Sequence, residues 1–293
     1  MATLREIKNR VTAVRNTSKI TQAMRMVAAA KLRRAQEAIT AARPFADKLQ
    51  LILSNLAAAE TDFVHPYFVT RKEIKSIAVI VVSSDRGLCG GFNTNVFRAL
   101  THHLVALSKE YPNATITLIP VGRRATNSLG KGDLPIAKEY PDVFGKLNFA
   151  TANDIADFVS NGFLTSRFDK VEAVYNKFIS MMRQEVTVSQ ILPIAPAETM
   201  KAAARPVDYL FEPSRADILD TLLPTYLNIQ VWRSLLESNA SEQAARMMAM
   251  ENATNNARDL ISSLQLIYNR ERQAAITKEM LEIVGGAEAL SGN

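Results

Sequence analysis

Counted in alternating steps of three and four from Leu4, the N-terminal stretch returns to one face of a helix at Leu4, Ile7, Val11, Val14, Ser18, Thr21, Arg25, Ala28, Leu32, Ala35, Ile39, Ala42, Ala46, Leu49, Leu53 and Leu56. Thirteen of these sixteen positions are apolar, a heptad seam that predicts a coiled-coil helix more than seven heptads long. The three exceptions, Ser18, Thr21 and Arg25, are consecutive. Many seam residues are alanine, so a partner helix has to approach closely. Pro44 lies inside the pattern and predicts a bend or a shift of register.

Between residues 74 and 210 the period changes. Ile77–Val82 is a continuous apolar run of strand length, followed by the turn residues Ser83-Ser84-Asp85-Arg86-Gly87-Leu88-Cys89-Gly90-Gly91 and a helix over Asn93–Lys109. Thr115–Val121 predicts a second strand and Asn153–Phe163 a second helix. Ala173–Ile179 and Val186–Pro193 predict two more strands, joined as a hairpin around Met181–Glu185. Alternating strands and helices argue for an α/β layer domain, edged by Pro193, Pro196, Pro206 and Pro213.

From about Ser214 the helical period returns, through Ile218, Leu219, Leu222 and Leu223. Pro224 predicts an interruption, and the pattern resumes at Leu227, Ile229 and Trp232. A stripe at Met247, Met250, Ala257, Ile261, Leu264 and Tyr268 continues through Ile276, Met280 and Ile283 until Gly285-Gly286 loosens it. The fold class is therefore α plus α/β: a long antiparallel coiled coil of N- and C-terminal helices (1–60 and 214–293) with an inserted small Rossmann-like α/β domain (74–210). Counted over 4–56 and 216–291, the C-terminal arm exceeds the N-terminal one by 23 residues, an overhang of about 35 Å at 1.5 Å per residue. Its end, Ala274–Val284, is too apolar to stand bare in water and requires an intermolecular sleeve.

Charge supports the pairing of the two arms. Residues 1–57 carry eleven Lys and Arg against Glu6, Glu37 and Asp47, whereas residues 237–293 carry five against eight acids. The whole chain of 293 residues has a formal charge of +6, and 47% of it is hydrophobic. No apolar run is long enough to span a bilayer. Cys89 is the single cysteine and excludes an internal disulfide; His65, His102 and His103 have no partners at metal-ligand spacing. The basic N-terminal helix mimics a mitochondrial presequence, yet a removable presequence has no reason to run unbroken into a seven-heptad seam. Nucleic-acid binding competes more weakly, because no aromatic residue precedes Phe45 to stack on bases.

The candidate chemistry is sparse. Gly87–Gly91 between a strand and a helix invites a phosphate-loop reading, but its spacing matches neither a dinucleotide fingerprint nor a Walker A loop, and a tight turn is the simpler account. Cys89 has only Arg86 as a basic neighbour in sequence, which favours a packed thiol over a nucleophile. Met24, Met26, Met247, Met248 and Met250 read as core filler or as an adaptable sliding surface, with filler the favourite.

Four passages carry a specific resemblance: KITQAMRMVAAAKLRRAQ near the start, VSSDRGLCGGFN in the middle, and SEQAARMMAMENAT with YNRERQAAITKEMLEIVGGAEAL near the end. Together they resemble the gamma subunit of F-type ATP synthase, bacterial type, over nearly the whole chain. The resemblance implies a non-catalytic central-stalk rotor that couples ion flow through the membrane to the cycling of three catalytic beta subunits. It implies as partners the alpha3beta3 hexamer, the epsilon subunit and the membrane c-ring, with no nucleic acid and no direct membrane insertion. No catalytic residue, cofactor or metal is implied. A coiled-coil adaptor or nucleic-acid-binding protein unrelated to ATP synthase is the alternative.

Matched residue by residue, the resemblance implies rotor–stator contacts at Met24 and Arg25 on the first helix, and at Arg246, Gln273, Thr277 and Glu279 on the second. It implies a hydrophobic bearing tip at Met280, Ile283, Val284 and Leu290. With Cys89 alone, the redox-active cysteine pair of the chloroplast members is expected to be absent. The start of the chain at the family's first helix, with no transit peptide, favours a peripheral protein on the cytoplasmic face of a bacterial inner membrane.

Overall fold

A computed structural model describes residues 3–58, 65–194 and 215–291. Two helices account for both ends. α1 runs Leu4–Ala58 and carries Pro44 inside it, so the proline does not end the helix. The C-terminal helix (α5) runs Arg215–Ser291. It passes through Pro224 without a break, contrary to the predicted interruption, and stays helical through Gly285-Gly286. A proline removes one hydrogen bond from a helix but does not end it when packing on the flanking turns holds the chain, and Leu223 and Leu227 on either side are completely buried.

The chain forms two compact units, residues 29–246 and residues 1–28 with 247–293. In the larger unit β1 (Ser76–Val82), α2 (Phe92–Glu110), β2 (Thr115–Val121), α3 (Arg123–Leu129), α4 (Phe149–Leu164), β3 (Lys170–Phe178) and β4 (Gln184–Leu192) build a sheet of order β2-β1-β3-β4. β1 pairs in parallel with β2 and β3, and β4 runs antiparallel to β3 as the predicted hairpin. α3 escaped the sequence reading because Arg-Arg-Ala-Thr-Asn-Ser-Leu has no apolar periodicity. β1 is buried almost throughout, as its unbroken apolar run predicted, because both of its faces are covered. Ile77, Val79 and Val81 pack with Val96, Leu100 and Leu107 of α2. Ala78, Ile80 and Val82 face the opposite layer, where α4 residues Ile155 and Val159 join Leu219, Leu223 and Leu227 of α5 and Leu49 and Leu53 of α1. Each of these leucines contributes roughly 1.5–3 kcal/mol by leaving water. Predicted Pro196, Pro206 and Pro213 lie outside the described residues.

The 3₁₀ turn Pro66–Phe68 is capped by His65, whose Nδ1 accepts from the Tyr67 amide at 3.2 Å. That bond leaves the proton on Nε2, which lies 3.2 Å from Asp220 Oδ1. Burial holds the imidazole below its usual range, against the opposing pull of Asp220. The neutral form is therefore the native one. Stability is retained above the unfolded value of about 6.5 and lost as pH falls below it. A falling urea midpoint between pH 7.5 and 5.5, flattened in His65→Asn, is the expected result.

Candidate functional site

The smaller unit is an antiparallel pair formed by the start of α1 and the C-terminal part of α5. Every predicted seam position with a described side chain is buried or half-buried; that of Leu56 lies outside the described residues. The three polar exceptions belong to the seam too. Thr21 is buried and shares a hydroxyl hydrogen bond of 2.7 Å with Thr254, while Arg25 Nη1 lies 3.4 Å from Glu251 Oε1. A hydroxyl pair satisfies both buried groups locally, and the neighbouring layers of Ile7, Val11 and Val14 return to apolar packing. The sequence reading saw the α5 stripe but missed Thr254, because a threonine in an apolar row looks like a gap until its partner is known.

These pairings set Leu4 beside about residue 271. Residues 272–291 of α5 therefore run on without α1 alongside, about 30 Å of helix at 1.5 Å per residue. Along this overhang Ile276, Met280, Leu281, Ile283 and Val284 are 50–72% exposed. Gln273, Thr277 and Glu279 are exposed on the same stretch, and Thr277 Oγ1 donates to the Gln273 carbonyl at 3.0 Å. Leu290 lies within α5, and its side chain is outside the described residues. On α1, Met24 is half-buried, and the Arg25 side chain keeps 42% of its surface exposed.

Arg246 belongs to the larger unit and points inward, with only 12% of its side chain exposed. Its Nη1 donates to Glu242 Oε1 at 2.5 Å, and its Nη2 donates to the carbonyls of Arg86 (3.0 Å) and Gly87 (3.1 Å). Those carbonyls belong to the glycine-containing turn between β1 and α2. Leu88 and Gly90 there take left-handed φ values of 62° and 56°. A Cβ on Gly87 would meet Arg124 Nη2 at 2.5 Å, so the glycine makes room for a guanidinium of the chain itself. Asp85 braces the same turn by accepting from the amides of Arg123 (3.0 Å), Phe144 (2.7 Å) and Gly145 (3.1 Å). Cys89 packs beneath it, 3.2 Å from Asn93 Nδ2, and burial pushes its thiol up, out of the reactive range. Sequence reading singled out the glycines and the cysteine; Asp85, Asn93 and Glu242 act through tertiary contacts that spacing does not encode.

Among the described residues, no helix is long and apolar enough to cross a membrane, and no group of three or more His, Cys, Asp or Glu could hold a metal. The fold defines a class of protein: a chain whose long N- and C-terminal helices flank an inserted α/β domain, with an apolar helical end left exposed. The family model described as ATP synthase matches residues 3–290. The ATP synthase gamma chain of Chlorobium chlorochromatii is 45% identical over 294 residues, covering 100% of both chains. Among solved structures, the Tetrahymena thermophila mitochondrial ATP synthase central stalk and c-ring contains a chain 28% identical, with TM-score 0.58, covering 80% of this chain and 99% of that one. A chain of the Euglena gracilis mitochondrial ATP synthase in rotational state 3, 22% identical with TM-score 0.66, shares the fold over 98% of this chain and 94% of its own. The chain belongs to the ATP synthase gamma chain family.

Proposed function

We propose that this chain is the central-stalk rotor of an F-type ATP synthase, coupling ion flow through the membrane c-ring to the cycling of three catalytic beta subunits, and driven in reverse by hydrolysis. The observation that carries the reading is the uncovered apolar end of α5, on a chain whose full length matches a gamma chain. Such an end is stable only inside a sleeve, and the alpha3beta3 hexamer provides one. The α/β domain meets the epsilon subunit and the c-ring. The chain is a non-catalytic subunit: its part is mechanical, and bond chemistry stays in the beta subunits. It sits peripherally on the cytoplasmic face of the inner membrane.

Within this reading Met24, Arg25, Gln273, Thr277 and Glu279 exchange polar and adaptable contacts with successive beta subunits. Met280, Ile283, Val284 and Leu290 form an apolar bearing that makes no directional bond. Arg246 contributes through the turn it holds. Hydrogen bonds suit the first task because they break and reform at modest net cost. Gln273→Leu with Thr277→Leu is expected to lower ATP synthesis by about two- to tenfold for each hydrogen bond lost, at roughly 0.5–1.5 kcal/mol per bond. The helicity of the isolated chain should not change. Capture of alpha and beta subunits by the wild-type chain is the companion measurement, and an assembled complex whose ATPase is indifferent to omission of this chain overturns the reading.

A further inference from the structure

The middle of α5 is buried nearly all round, yet one of its faces is polar: Ser234, Glu237, Ser238, Ser241 and Glu242 are all buried. Apolar burial resists separation but is non-directional, so it opposes sliding or rotation of a helix only weakly. Hydrogen bonds fix angle as well as distance. On this face α5 makes such bonds to main chain of the sheet domain at two places. Ser241 Oγ donates to the Asn176 carbonyl at the end of β3 (3.1 Å), and Arg246 donates to the Arg86 and Gly87 carbonyls. The Arg246 bonds are charge-assisted and therefore the stronger. Glu242, four residues earlier, orients the guanidinium and is itself buried. The acceptors are held in turn, because Ser84 Oγ donates to the Arg86 carbonyl at 2.8 Å and Asp85 ties the loop to three amides.

We propose that Arg246, oriented by Glu242, is a positioning residue that locks the β1–α2 turn onto α5 and keys the α/β domain to the helix it must turn with. The mechanical consequence rests on the rotor reading; the lock is a property of this chain alone. Torque entering at the α/β domain has to reach α5 through contacts that resist rotation about the helix axis. Two carbonyls held by one planar guanidinium do so, and a lysine ammonium, a point charge without the fork, does so less well.

Cys89 supplies the measurement. It is the only cysteine, its sulfur lies 3.8 Å from the Arg86 carbonyl, and it is buried under the same turn. Its alkylation by a maleimide therefore reports how often the turn opens. In the full-length chain, Arg246→Ala is expected to speed alkylation at least about tenfold, the effect of losing charge-assisted hydrogen bonds. Arg246→Lys and Glu242→Gln should give smaller accelerations, and Arg233→Ala, at another i,i+4 pair of this helix, should leave the rate within about twofold. An unchanged rate in Arg246→Ala overturns the lock. Where circular dichroism shows that the alanine variant has lost its fold, Arg246→Lys decides: acceleration upholds the lock, and an unchanged rate overturns it. In the assembled synthase Arg246→Lys should lower the number of ions pumped per ATP hydrolysed. Faster alkylation with unaltered pumping overturns the keying role while leaving the lock in place, and neither alkylation result depends on the rotor reading.

Discussion

Replacing Gly122 with alanine is expected to destabilise the α/β domain by about 4 kcal/mol or more, among the largest effects a single methyl group can have. Gly122 follows β2 with φ at 93°, where an L side chain is strained whatever its surroundings. The space is filled as well: an added Cβ would lie 2.2 Å from the Ser83 carbonyl oxygen. Neither backbone is free to retreat. The Gly122 amide donates to the Tyr140 carbonyl at 2.8 Å, and the Ser83 amide donates to the Val121 carbonyl at 2.9 Å. The Ser83 side chain is committed too, its Oγ accepting from the Ala125 amide at 2.7 Å. The clash therefore opens the junction between β1, β2 and α3. Gly145→Ala is the matched control, since nothing lies within 4 Å of its added Cβ, and its midpoint should move little. Thermal or urea denaturation of the two variants checks the contrast; equal midpoints would mean that the Ser83–Gly122 approach is not rigid.

Asp169→Ala is expected to cost about 3–5 kcal/mol, the penalty for removing one partner of a buried ion pair. Asp169 precedes β3 and is buried. Its Oδ2 accepts from the amides of Lys75 (2.7 Å) and Ser76 (2.9 Å), and its Oδ1 pairs with Arg71. Arg71 in turn donates to the Phe163 carbonyl at 2.7 Å and covers the Phe163 ring, so the variant leaves a guanidinium and two amides without their acceptor. Burial alone would raise the Asp169 carboxyl, but the Lys75 amide, Arg71 and the Ser76 amide outweigh it and hold it below the usual carboxylate range. A depressed carboxyl contributes stability above its unfolded value of about 3.9 and loses it as pH falls through the native value. The gap between wild type and Asp169→Ala should therefore narrow as the urea titration is moved from pH 7 toward pH 3. A constant gap would assign the loss to packing rather than to charge.

Both residues lie at strand ends, where the sequence is least informative. A glycine after a strand is common, and its φ and its nearness to Ser83 exist only once β1 and β2 are side by side. Asp169 follows Phe168 with no pattern around it, and its donors lie more than ninety residues away. Arg246 illustrates the same limit. Its place in the second helix was legible, but the two carbonyls it holds are some 160 residues distant.

What the sequence determined by itself was everything with a local period. The heptad from Leu4 to Leu53, the run Ile77–Val82, the strand Thr115–Val121 and the return to helix after residue 214 each record which side of an element meets apolar neighbours. The length difference between the two arms was enough to foresee an uncovered apolar end, because rise per residue is fixed by helix geometry. Tertiary structure decided what has no period. It chose the order β2-β1-β3-β4, carried α5 through Pro224, and turned Thr21 and Arg25 across the coil to Thr254 and Glu251. Polar atoms choose partners by distance and angle, and those are fixed only after the apolar surfaces have packed.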